Sequence, residues 1–129
     1  MAIDSLLWQA YCDPYFHFEQ QISFSSFAII TAWNPKSELL SKKDNDRSNQ
    51  YLAREISHTC WCEIQVGNKD FSWMEASFAV QITADEAIKL GRKYQQNAVY
   101  FIEGEELLLL PCIEEQNKVS LGSWRKRCR

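Results

Sequence analysis

The sequence predicts an α+β domain with a single mixed or antiparallel sheet and its helices mainly on one face, and three observations predict it. Apolar residues recur at helical spacing in three stretches and at strand spacing in five others, ordered helix, strand, helix, two strands, helix, two strands. The strand segments are rich in aromatic and β-branched residues and are separated by turn residues. A chain of 129 residues, 46% hydrophobic with only four glycines and three prolines, suits one packed core without repeats or linkers. This order fits a split βαβ arrangement of the ferredoxin-like kind, with one added strand and an N-terminal helix.

Asp4 to Tyr11 forms a short helix with Leu7 and Tyr11 on one side, and Asp13-Pro14 ends it because a residue before proline avoids helical angles. Phe24 to Trp33 is apolar on both alternating faces, which marks a central strand, and Asn34-Pro35 stops it. Ser41 with Asp44 opens a helix that runs to about Ile56. Cys60 to Val66 and Phe71 to Ile82 form a hairpin around Gly67-Asn68-Lys69-Asp70, with Met74, Ala76, Phe78, Val80 and Ile82 expected in the core. Thr83 with Glu86 is a capping box opening a helix to about Gln96, in which Gly91 allows close approach to the sheet. Val99 to Ile102 and Glu106 to Leu110 make a second hairpin about Glu103-Gly104-Glu105. Residues 1–129 read as one domain, with 112–129 as loop and basic tail.

No apolar run approaches the roughly 20 residues of a membrane helix, so no membrane partner is expected. Met1 to Gln20 carries Asp4, Asp13 and Glu19 without the pattern of a secretory signal, and the expected location is the cytoplasm. The five cysteines lack the spacing of a disulfide framework and fit a reducing compartment. Of the net charge of −3, four basic residues crowd the end: Arg125, Lys126, Arg127 and Arg129. With those set aside, ten basic residues face seventeen acidic ones, so nucleic acid would be held only by the tail, read as a solvated end, or by a local patch.

Polar residues interrupt the pattern at three places. On the first long helix, Leu52 and Ile56 make a core stripe whose backward continuation is Asn49 and Asn45, and a half-buried amide needs partners from loops or from a ligand. Arg47, Tyr51 and Arg54 form the adjoining ridge, suited to gripping an anion or to a solvated face. On the strand from Phe71, Trp73, Glu75 and Ser77 share one face, and an indole beside a carboxyl is a setting that raises a glutamate's pKa. Glu75 is therefore the candidate acid or base, weighed against an ordinary cross-strand ion pair. His58, Cys60 and Cys62 alternate along a strand, too widely spaced for zinc, so neither a metal site nor a cofactor is implied. Phosphate-loop, dinucleotide and nucleophile-elbow signatures are absent.

Phe27-Ala-Ile-Ile-Thr-Ala-Trp-Asn-Pro35, Asn45-Asp-Arg-Ser-Asn49 with Leu52, Trp73-Met-Glu-Ala-Ser-Phe78 and Gln96-Asn-Ala-Val99, taken as an ordered set, resemble the bacterial family called domain of unknown function 3293. The resemblance runs from about Tyr15 to Leu110. It implies no reaction, but it draws attention to Asn34, Asn45, Arg47, Asn49, Glu75, Ser77, Gln96 and Asn97 as one shared pocket. Two positions depart from the family's pattern: Ala76 stands where it implies proline, and Gln95 where it implies glycine.

Three functions compete. One is a binding module in which Asn45, Arg47, Asn49, Glu75 and Gln96, walled by Trp33 and Trp73, hold a small polar ligand or a nucleic-acid or protein segment. Another is a hydrolase or transferase with Glu75 as acid or base and Arg47 and Asn49 stabilising negative charge. The last is an interaction subunit or homodimer joined through exposed Trp61, Tyr100 or Trp124.

Overall fold

A computed structural model describes residues 4–114 and 116–129. The elements follow as α1 (Ser5–Tyr11), β1 (Tyr15–Phe18), β2 (Ser26–Ile30), α2 (Lys42–Glu55), β3 (Trp61–Gly67), β4 (Met74–Val80), α3 (Ala84–Lys93), β5 (Ala98–Glu103), β6 (Glu106–Pro111) and β7 (Val119–Ser123), with short 3-10 turns at Pro35–Ser37 and Arg125–Arg127. The strands form one antiparallel sheet in the order β1-β3-β4-β2-β5-β6-β7. Helix α2 links β2 to β3 across β4, and α3 links β4 to β5 across β2, so the central four strands are the expected split βαβ pair. Three strands flank them among the described residues, where the sequence predicts one; β1 and β7 are the additions.

Central β2 is apolar on both sides because both sides are covered. Ala28 and Ile30 pack with Leu52 of α2 and Ile56 at its C-cap, Ala87 of α3, and Phe78 and Val80 of β4. Phe27 and Ile29 turn the other way, to Phe16, Ile64, Ile102 and Trp124. Residues from both edges of the sheet meet in this second cluster because the sheet curls: Phe16 bridges Cys128, and the Arg129 amide donates to the Phe16 carbonyl at 2.8 Å. Helices α2 and α3 lie on the convex face, and the concave face encloses its own core.

The basic end is not a frayed tail. Trp124 is 6% exposed, with its indole N–H on the Gly104 carbonyl at 3.0 Å. Arg125 pairs with Glu105 at 2.6 Å, Arg127 with Asp13 at 3.0 Å, and Arg129 lies over the Tyr15 ring. Residues 112–129 thus carry β7, a 3-10 turn and the bridge to β1, held by acids and aromatics that the linear charge count leaves out.

Capping sets the helix starts. Ser41 Oγ accepts from the Asp44 amide at 3.1 Å, and Thr83 and Glu86 form both bonds of a capping box. Strand β4 begins at Met74 rather than Phe71 because Phe71 takes a left-handed φ of 55° and Asn68 Oδ1 accepts from the Trp73 amide, extending the turn. Met74, expected in the core, is 45% exposed at that strand's free end. No described helix is long and apolar enough to cross a membrane.

At Gly91, an added Cβ would stand 2.5 Å from Cys112 Sγ and 2.9 Å from Val99 Cγ1, so α3 approaches the sheet as closely as the sequence suggests. Gly91→Ala is expected to cost about 1–3 kcal/mol by overpacking. That exceeds the ~1 kcal/mol by which alanine usually favours a helix. A lowered urea midpoint at unchanged slope checks it.

Candidate functional site

Pleating decides what faces the hollow. Along β4, Phe78 and Val80 point to the helices, whereas Ala79, Ser77 and Glu75 point into the concave face. Inward from Glu75 the space is filled by Phe16, Ile64 and Ile102; around Glu75 it is not. A cavity of about 520 Å³ opens there, walled by Ile29 and Thr31 of β2 and its continuation, Val66 of β3, Tyr100 of β5, Leu109 of β6, and Leu7 and Tyr11 of α1. Asn34, Ser37, Leu39 and Trp73 form its rim. Its size suits a small molecule, and most of its lining is apolar.

Glu75 is held by a chain of amides. Asn34 takes a left-handed φ of 48° just after the strand, where asparagine is tolerated, and its Nδ2 donates to Glu75 Oε2 at 2.8 Å. Its Oδ1 accepts from the Leu40 amide and from Asn45 Nδ2, each at 3.0 Å, and Asn45 Oδ1 takes the Asn34 amide at 2.9 Å. With its oxygen doubly occupied, Asn34 can offer only nitrogen to Glu75. Glu75's other oxygen has no hydrogen bond to the described residues. Burial raises Glu75 from 4.5 to about 7, and the Asn34 bond opposes this.

Asn49 stitches the ends of β2 and β4 together beside Glu75, its Oδ1 accepting from the Ala32 amide at 2.8 Å and its Nδ2 donating to the Ala76 carbonyl at 2.9 Å. Helix α1 is drawn over the cavity by Tyr100, whose hydroxyl donates to the Tyr11 carbonyl at 2.6 Å, and by Asn97, whose amide reaches Tyr11 Oη and Ser37 Oγ at 3.1 Å each. Gln96 Nε2 ties the Trp33 and Tyr94 carbonyls at 3.0 and 3.2 Å.

Of the residues singled out in the sequence, Asn34, Trp73, Glu75, Ser77, Gln96 and Asn97 line this cavity. Trp33, Asn45, Arg47 and Asn49 do not. Asn45 and Asn49 satisfy their amides within the fold, and Arg47 is exposed on the outer side of α2 beside Lys43 and Asp46. Tyr51 and Arg54 are likewise on the outer surface, with the guanidinium over the ring. Of the three aromatics expected at an interface, Trp61 is exposed, Trp124 is buried, and Tyr100 is partly buried at the cavity wall. The sequence patterns do not mark Tyr11, Ser37 and Thr31 as part of a site; the only sign is Tyr11 beside Leu7 on one side of the first helix. Among the described residues no three His, Cys, Asp or Glu side chains are grouped to hold a metal ion.

Residues 30–99, slightly more than half of the chain, match the family model described as Protein of unknown function (DUF3293). The matched span contains Asn34, Asn45, Arg47, Asn49, Glu75, Ser77, Gln96 and Asn97, while α1 lies outside it. No curated protein and no solved structure matches the chain.

Proposed function

For this chain, which belongs to the DUF3293 family of proteins of unknown function, we propose a binding module whose concave cavity takes a small amphipathic molecule. The observation that carries this reading is Glu75: a carboxyl in a mostly apolar hollow, fixed on one oxygen by Asn34 and free on the other. An apolar body would occupy the hollow and a hydrogen-bonding head would meet the free oxygen, the usual division of labour in small-molecule sites. Asn34, Ser77, Gln96 and Asn97 would shape the polar side, and Asn45 would position Asn34 from behind. Arg47, facing outward, has no part in this version of the site.

Thermal unfolding of the wild type and Glu75→Gln against a library of amphipathic compounds tests it. A true ligand at a hundredfold its Kd adds about 2.7 kcal/mol to stability. The shift is expected in the wild type and diminished in the variant; a library without any wild-type shift would remove the support for this reading.

A catalytic reading keeps one supporting observation, since a carboxyl near 7 is poised to give or take a proton at neutral pH. In either version we place the protein in a bacterial cytoplasm, in keeping with its five free cysteines. A second copy of the chain remains the alternative partner, with exposed Trp61 as the contact that the sequence suggests.

A further inference from the structure

We propose that the head group accepted by this cavity is a cation, an ammonium on an apolar body, paired with Glu75. The inference rests on the cavity being a binding site. Among the described residues its walls contain two carboxyl groups, Asp13 and Glu75, and no lysine, arginine or histidine. The two acids are not equivalent. Asp13 Oδ1 already receives Arg127 Nη1 at 3.0 Å, so its charge is answered within the fold. Among the described residues, Glu75 receives only the neutral amide of Asn34.

The groups presented by the surrounding elements leave that charge alone. Tyr11 from α1, Asn97 just before β5, Tyr100 from β5 and Ser37 from the β2–α2 connection bond to one another. Thr31 donates to the Ala76 carbonyl, and Ser77 to the backbone oxygen of Glu75. Asp13, with Arg127 upon it, is the only other charged side chain in the lining among the described residues. A carboxylate in an apolar hollow needs a counter-charge, and the described residues do not supply one. An ammonium brings both the charge and N–H donors for the free oxygen, while Ile29, Val66 and Leu109 cover its apolar body.

The sign of the pH dependence distinguishes ligand classes. With the Glu75 carboxyl titrating at about 7 in the empty cavity, an ammonium favours the ionised form, so affinity falls as pH drops below 7. A neutral alcohol should show little slope, and a carboxylate should bind better in acid, where Glu75 holds its proton.

Titration calorimetry with phenethylamine, phenethyl alcohol and phenylacetate, on the wild type and Glu75→Gln, tests the assignment. The amine is expected to bind at least about tenfold more tightly than the alcohol at about pH 8, and about tenfold more weakly at about pH 6 than at pH 8. Glu75→Gln should bring the amine to the alcohol's level and abolish the amine's pH dependence. Equal affinity of amine and alcohol, or tightest binding by phenylacetate, overturns the cation assignment and leaves the cavity as a binding site. Binding by none of the three overturns both. The wild-type pH series stands without the variant.

Discussion

Glu75→Gln is expected to raise the melting temperature at about pH 8 and to leave it nearly unchanged at about pH 4. Burial lifts this carboxyl from 4.5 to about 7, so the folded protein holds the proton more tightly than the unfolded chain. The stability this contributes is fully present below 4.5 and is lost as pH rises through 7. Above that, the wild type carries an anion in a mostly apolar hollow. Glutamine keeps an oxygen for Asn34 Nδ2 and removes the charge. At about 1.4 kcal/mol for each tenfold change in proton affinity, with allowance for water at the cavity mouth, the gain is about 1–3 kcal/mol. Melting curves across this pH range measure it. A residue kept at a cost to the fold belongs to a site; a variant less stable than wild type at pH 8 would instead make Glu75 a brace.

Asn49→Ala should act in the opposite sense, lowering stability by about 2–4 kcal/mol at every pH. The side chain is 7% exposed, and it alone accepts the Ala32 amide, whereas the Ala76 carbonyl retains Thr31 Oγ1 at 2.7 Å. Loss of the amide therefore orphans one buried donor completely and leaves a small void beside it. Asn49→Asp keeps the acceptor but sets an anion against the Ala76 carbonyl, so it should fall between wild type and alanine. Urea midpoints report both. Because Asn49 does not line the cavity, ligand affinity of the folded Asn49→Ala protein should match wild type; lost affinity at unchanged stability would move Asn49 into the site.

Much of the scaffold is legible because its signals are local. The capping box at Thr83 and Glu86 needs four residues to be seen, and β2 declares its central place by being apolar at both Phe27 and Ala28. The family pattern implies glycine at Gln95, and the backbone there is left-handed, with φ 57°, the conformation that favours glycine. Asn45 and Asn49 are visible as amides on a core stripe, but not their partners, which lie on strand ends and loops folded against them. Glu75 is visible too, for an incomplete reason: neighbouring Trp73 is 48% exposed at the rim, and the desolvation comes from the curl of the whole sheet. That curl depends on β1, β7 and the Cys128 bridge, which are short or partly polar and carry no strong period. Charge counting misreads the basic end because Glu105 and Asp13 are distant in sequence.

Helix α1 walls the cavity but contributes no buried residue to either core. Among the described residues, its hydrogen bonds to the cavity wall are those of Tyr11 with Tyr100, Asn97 and Ser37. Detaching it therefore exposes little apolar surface and leaves every strand pairing intact, so its opening free energy lies far below that of global unfolding. Entry to the hollow is in this sense hinged: the residence time of a captured molecule would be governed by one seven-residue helix, independently of how firmly the sheet behind it is closed.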